Sequence, residues 1–340
     1  MAATHTLAPP GPPGAPPRAQ GLRLTGIRHR VFRDRPQPLI GFDLELAEDV
    51  LRAYGRGDEL QAFLDRTGNS FIAMSEALLE GAAEPDAVPE PGSVPDLSTA
   101  LDQDTAPDQD TAPDQDTAPD LDTVLLAYRI PDLYYSEVAG CYLSQRLPGA
   151  PVPCSVAEQG PGAPFTALRI ADGMCRLGEL ERGVLFAFDQ NAAVWDEDEA
   201  MQSRPDAAVL IEFGRAAPSR ADGGAARVAE LTDVRAGDTG FPSPARVLEE
   251  TLARHPDARP LIGAELAAEL PVGPQGTELP NAELSSAELW STGLSSAELW
   301  STGLWAALAQ LWPIHEPVLL ADYHAVGGVF HSCLLVPDAE

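Results

Sequence analysis

The sequence predicts an α/β protein, and three observations predict it. Near-continuous apolar runs of strand length recur at 123–128, 183–188, 207–213, 317–321 and 329–336. Runs of this kind are buried on both faces of a sheet. Segments with apolar residues at helical spacing alternate with them, as in layered α/β domains. The order strand, helix, strand, helix, strand over 123–188 is followed by a second strand–helix set, so two similar halves are expected.

Residues 1–20 are rich in Pro, Gly and Ala and are expected to be disordered. The alternating run 22–32 predicts the first strand. Helices are predicted over 43–54, 58–64 and 70–79, the last with Phe71, Met74, Ala77 and Leu78 on one face. Residues 81–122 read as a disordered acidic insertion. Its centre is Gln-Asp-Thr-Ala-Pro-Asp, repeated unchanged at 103–108, 109–114 and 115–120, and a proline in every unit rules out a helix or a packed strand. Between Glu84 and Asp122 stand 12 acidic residues and no basic ones, so much of the acidity belongs to this insertion. A strand over 123–128 and a helix over 136–147 follow, the helix with Val138, Ala139, Tyr142 and Leu143 inward.

The chain is organised around 152–195. It holds a strand (152–156), a turn Glu158-Gln159-Gly160-Pro161-Gly162, a helix to 177 that Gly178 stops, and a buried strand. Pro164 falls in the first helical turn, where its missing N–H has no partner to lose. Many enzymes present a nucleophile at such a turn, because the helix N-terminus lowers a thiol's pKa and stabilises an anion. Here residues 160–165 are Gly-Pro-Gly-Ala-Pro-Phe, with no side chain that could attack. The elbow is architecturally present and chemically empty.

Strands at 207–213 and 226–231, a helix over 243–254 and a strand at 259–263 come next. After a stretch broken by Pro and Gly, Ser-Ser-Ala-Glu-Leu-Trp-Ser-Thr-Gly-Leu occurs at 285–294 and again at 295–304. Two copies are too few for a solenoid. A helix over 304–311 and two closing strands, joined by a loop at 322–328, end the pattern. The expected organisation is an N-terminal half at 21–205 and a C-terminal half at 206–340, with 264–303 irregular.

All 22 basic residues are arginine, which excludes Schiff-base chemistry and a P-loop lysine. A net charge of −30 with no basic face makes nucleic acid an unsuitable partner. No run reaches the roughly 20 apolar residues of a membrane span, and the N-terminus lacks a signal's apolar segment. Cys141, Cys154, Cys175 and Cys333 show no CxxC spacing, so reduced thiols in a cytoplasmic protein are expected. His29, His255 and His315 do not cluster as metal ligands, and neither a metal nor a cofactor is expected.

Four segments resemble the thiolase fold, and within it the ketoacyl synthase III family of condensing enzymes. They are the opening strand at 22–31, the strand 124–128 followed by Pro131-Asp132, the elbow and helix at 156–171 containing Phe165-Thr166-Ala167-Leu168, and the closing strands and Gly-rich loop at 317–335. The resemblance covers most of 22–337 and implies a five-layered α/β/α/β/α architecture. It also implies a Cys, His and Asn active site, in which Cys attacks a thioester while His and Asn stabilise the charge that develops. Matching on Phe165-Thr166-Ala167-Leu168 puts the nucleophile's position at Gly162. The His position follows Pro260-Leu261-Ile262 and reads Gly263-Ala264-Glu265-Leu266. The Asn position precedes the helix at 304–311 and reads Trp300-Ser301-Thr302-Gly303, while the asparagines of the chain are Asn69, Asn191 and Asn281.

The resemblance therefore implies a catalytically silent relative with a vestigial elbow at Gly160, Pro161 and Gly162. It would serve as the homo- or heterodimeric partner of a ketosynthase-like subunit, or of an acyl carrier protein, in polyketide or other acyl-derived antibiotic and secondary-metabolite biosynthesis. The alternative is an active acyltransferase with displaced groups drawn from Cys333, His331, His324 and Glu158. His331 and Cys333 share a strand face by period 2. Cys154 and Cys175 read as core, and Ser155 has no His near it in sequence. A scaffold unrelated to acyl chemistry is a third reading.

Overall fold

The computed structural model describes residues 21–33, 48, 49, 52, 68–80, 119–129, 132, 138–190, 205–215, 224–237, 239–270, 299 and 301–338. The strands are β1 Arg23–Phe32, β2 Thr123–Tyr128, β3 Val152–Ala157, β4 Arg182–Asp189, β5 Asp206–Gly214, β6 Ala226–Arg235, β7 Arg259–Ile262, β8 Val318–His324 and β9 Val329–Pro337. The helices are α1 Phe71–Glu80, α2 Ala139–Arg146, α3 Ala163–Leu177, α4 Pro244–Arg254, α5 Ala264–Glu269 and α6 Gly303–Leu311. The strands hydrogen-bond in the order β3-β2-β4-β5-β1-β6-β9-β8-β7.

That order contains its own symmetry. In the first half β3, β2 and β4 are parallel, and β5 and then β1 follow antiparallel. In the second half β7 and β8 are parallel, and β9 and then β6 follow antiparallel. So β2 matches β7, β4 matches β8, β5 matches β9 and β1 matches β6. Among the described residues, the two half-sheets join where Arg23 and Leu24 of β1 pair with Arg227 and Ala226 of β6.

Strand alternation then sorts the side chains into layers. Leu125 and Ala127 of β2, Leu185 and Ala187 of β4, Val318 and Leu320 of β8 and Cys333 and Leu335 of β9 face one shared core, with α3 and α6 inside it. The opposite face of the first half-sheet packs Val124, Leu126, Val184 and Phe186 against α1 and α2. The opposite face of the second packs Ala321, Tyr323 and Phe330 against α4 and α5. This is the five-layered, two-halved α/β/α/β/α arrangement expected of a thiolase-like chain.

The details depart from the expectation in four places. β5 lies between β4 and β1, so the boundary drawn at 205/206 cuts a strand of the first half from its sheet. The structure starts the second half at β6. Asp322, Tyr323 and His324, expected in a loop, are the last residues of β8, because β9 pairs with them in register. A short helix, α5, stands inside the stretch expected to be irregular. In α2, Ala139 and Leu143 are buried, whereas Val138 and Tyr142 point outward. The predicted helix at 58–64, most of that at 43–54, the hexapeptide repeats up to residue 118 and the first decapeptide lie outside the described residues. Among the described residues no helix is long and apolar enough to cross a membrane.

Candidate functional site

Three strand ends and two helix starts converge at the elbow. Strand β3 ends in Ala157; Glu158 then takes a left-handed backbone, φ 60°. Gly160–Gly162 form one 3₁₀ turn that runs straight into α3. All three residues of the turn are buried. The N–H groups a catalytic elbow would aim at an anion are already used here. Gly162 N–H donates to Gln159 O at 2.9 Å and Ala163 N–H to Gly160 O, while Pro161 and Pro164 have none to give.

Gly162 does not owe its identity to backbone strain, although glycine is often placed for that reason. Its φ of −74° and ψ of −17° suit any residue. Its neighbour is the reason. A Cβ built on Gly162 would stand 2.6 Å from Cε1 of His331 and closer still to Nε2. The imidazole occupies the space into which a side chain at 162 would project. It is fixed there by Asp233, whose Oδ1 lies 2.8 Å from Nδ1, and by Phe165, which stacks on the ring with centroids 5.6 Å apart. Arg169, one turn further along α3, pairs with the other oxygen of Asp233. Burial opposes ionisation of Asp233, but the bonds from His331 and Arg169 outweigh it and hold the carboxyl well below its usual range. Nε2 of His331 is buried without a hydrogen-bond partner among the described residues.

The other two positions implied by the resemblance are filled in the same way. A Cβ on Gly263 would overlap the carboxyl of Asp322, 2.5 Å from Oδ1 and nearer still to Oδ2. Asp322 is directly opposite His331 in the β8–β9 register, and its Oδ1 accepts from Leu266 N at 3.2 Å and Tyr323 N at 2.8 Å. Burial pushes its pKa up to about 7; the two N–H donors oppose the rise, and the charges of Glu265 and Asp189 add to it. Ahead of α6, Ser301 N and Thr302 N donate to Asp189 at 3.1 and 2.8 Å, and Thr302 Oγ1 donates at 2.7 Å. A buried carboxylate of the protein itself thus takes the donors just ahead of α6. Ser301 Oγ donates to Gly160 O at 3.3 Å and ties this segment to the elbow.

The structure brings two of the sequence candidates, His331 and His324, to the elbow and leaves Cys333 and Glu158 apart from it. His331 is at Gly162. His324 lies between Gly160 and Gly327, whose Cβ atoms would stand 2.8 and 2.7 Å from its ring. Burial lowers its pKa, against the pull of Glu265. Cys333 faces the shared core, and complete burial pushes its thiol far up. Glu158 is exposed. Cys175 is buried and its thiol is pushed up to about 11, chiefly by burial; Cys154 packs partly against the core and Cys141 is exposed. Sequence reading missed Asp322, Asp233, Arg169 and Asp189. Period 2 was the available signal: Asp189 continues the inward series Leu185, Ala187, and Asp322 continues Val318, Leu320. Among the described residues no group of three His, Cys, Asp or Glu is placed to hold a metal.

No family model and no curated protein matches the chain. Solved structures overlap it weakly. A single-residue variant of OleA from Xanthomonas campestris aligns over 94% of this chain and 98% of its own, at 12% identity and a TM-score of 0.48. The acyltransferase ChlB3 aligns over 93% and 97%, at 12% identity and a TM-score of 0.48. The tetronic acid condensing enzyme AbyA1 aligns over 64% and 78%, at 13% identity and a TM-score of 0.44. Likenesses at this level carry nothing about chemistry, and the fold stands on the strand order and layers above.

Proposed function

We propose that the chain is a catalytically silent condensing-enzyme relative. It acts as the partner of an active ketosynthase-like subunit or of an acyl carrier protein in the building of acyl-derived metabolites. The observation that carries the reading is the packing of His331 against Gly162, with Cε1 only 2.6 Å from the site of a missing Cβ. At this elbow the space a side chain at 162 would need is taken by the protein's own imidazole. The prolines at the start of α3 support the same reading, since they remove anion-stabilising donors, and Asp189 takes the donors just ahead of α6. The test has two arms. Radiolabelled malonyl- and acyl-thioesters should leave no covalent label on a denaturing gel and release no carbon dioxide. Size-exclusion chromatography should show a mixed complex with a ketosynthase-like subunit or an acylated carrier protein from the same source. Turnover in the first arm refutes silence, and a monomer that captures neither in the second refutes partnering.

A second reading has one specific observation in its favour. The Asp233–His331 pair leaves Nε2 without a partner among the described residues, which is the arrangement of a carboxylate-oriented general base. In that case the chain is an active acyltransferase with displaced groups. Thioester turnover that disappears in His331→Gln would establish it.

A further inference from the structure

We infer that Trp305 and Leu308 select which of two identical decapeptides docks at the elbow. The selection is independent of any chemistry there. Residues 285–294 and 295–304 have the same sequence. In the folded chain the second copy supplies Leu299, Ser301, Thr302, Gly303 and Leu304, all buried. Its Ser301 and Thr302 make the bonds to Asp189 and Gly160 described above. The first copy carries the same set as Leu289, Ser291, Thr292, Gly293 and Leu294. Docked ten residues earlier, it would present the same donors to Asp189 and the same leucines to the core. Nothing inside the repeat distinguishes the two registers.

The residues beyond each copy do distinguish them. After the second copy come Trp305, Ala306, Ala307 and Leu308; after the first come Ser295, Ser296, Ala297 and Glu298. Trp305 and Leu308 are both 0% exposed, and the indole packs edge-on against Phe165 of the elbow helix at 5.2 Å. The earlier register would leave a tryptophan-sized hole filled by Ser295. It would also bury the carboxylate of Glu298 in the apolar place of Leu308, among the hydrophobic side chains of the shared core. A buried large-to-small change and a buried unpaired charge are among the most costly substitutions known. Chain length is no obstacle, because the slip only moves ten residues from one side of α6 to the other. The two side chains therefore do for this helix what an inward apolar pattern does for a strand whose register would otherwise slide.

Single cysteine reporters test the selection. Leu289→Cys and Leu299→Cys are made separately, and alkylation at each is followed by peptide mass spectrometry. In the natural background the thiol at 299 should react at least 100-fold more slowly than that of the exposed Cys141. Ser295→Trp with Glu298→Leu gives the first copy the two anchors and leaves Trp305 and Leu308 untouched. Its effect should be to slow the thiol at 289, which takes the buried place of Leu299, and to raise the rate at 299 at least tenfold as that residue moves to the half-buried place of Ala309. Trp305→Ser with Leu308→Glu, which gives both copies the weak anchors, should raise the rate at 299 towards that of Cys141. The idea is overturned if Ser295→Trp/Glu298→Leu leaves the thiol at 289 as reactive as before and that at 299 as protected. It is equally overturned if the thiol at 299 already matches Cys141 in the natural background. Because the gain-of-anchor variant alters neither Trp305 nor Leu308, it answers the question even if the loss-of-anchor variant fails to fold.

Discussion

Replacing Gly162 by alanine should destabilise the protein, and the sign is informative. The backbone at 162 is helical, so on conformational grounds alanine would stabilise by about 0.4–1 kcal/mol. The new methyl, however, would stand 2.6 Å from Cε1 of His331 and closer still to Nε2. The ring has little freedom to retreat. Asp233 holds Nδ1 at 2.8 Å and Phe165 lies along its face. Overpacking a fixed site of this kind costs ~1–3 kcal/mol, which exceeds the conformational gain. The denaturant midpoint of Gly162→Ala should therefore fall while the slope of the transition stays constant. The same substitution in a His331→Ala background puts the methyl into space the ring has left, and should be neutral or stabilising. The coupling between the two sites should be ~1–3 kcal/mol, within the range found for residues in contact. Two results refute the reasoning. One is a Gly162→Ala protein as stable as its parent. The other is an equal loss with and without His331, which would place the cause elsewhere than the imidazole.

Further outcomes rest on the neighbouring residues. The folded state raises the pKa of Asp322 from 3.8 to about 7, so it binds that proton more tightly than the unfolded chain. The stability this contributes is complete below about pH 4 and lost as pH rises through 7, a change of a few kcal/mol at ~1.4 kcal/mol per unit. Asp322→Asn should flatten the stability profile across that window, as measured by denaturation at each pH. Iodoacetamide should modify Cys141 first and leave Cys333 and Cys175 unreacted until the protein unfolds; early labelling of Cys333 would revive it as a nucleophile. Asp189→Ala strands two N–H groups and one hydroxyl at the start of α6 and should cost at least ~2 kcal/mol, read from thermal or chemical unfolding.

Much of the architecture was legible because it is written in local periodicity. The apolar runs that became β2, β4, β5, β8 and β9 are buried on both faces of their strands, the environment that a run such as Val124 to Ala127 without a polar interruption fits. Gly178 marks the end of α3 through its left-handed conformation, φ 75°. The boundary between halves was not legible. A strand that pairs antiparallel with both its neighbours reads the same whether it closes one half or opens the next, and β5 closes the first. The length of β8 was hidden for a different reason. Asp322 and His324 are polar, and polar residues before two glycines read as a loop unless the partner strand is known. The site itself was only half visible. Gly162 and Gly263 could be seen to lack side chains, but the groups that fill the gaps arrive from β9 and β8, far away in sequence.

The silent reading proposed above rests on that distance, because the places left by Gly162 and Gly263 are taken by groups from other parts of the chain. His331 lies against Gly162, Asp322 against Gly263, and Asp189 across the N–H groups ahead of α6. Donors that a catalytic site leaves unpaired, at a cost in stability, are paired here and serve the fold. The shared core between the halves has in effect been extended over the elbow. Introducing a thiol at 162 would then require displacing His331, breaking its bond to Asp233 and leaving the Arg169–Asp233 pair without its third member. One atom stands apart from this closure: Nε2 of His331, buried and without a partner among the described residues. A buried nitrogen in that state is costly to keep, and it is the atom on which the silent and the active readings differ most sharply. If the site is silent, replacing His331 by an apolar residue of similar shape should cost little more than the lost bond to Asp233. If it is active, the same replacement abolishes turnover while leaving the fold intact.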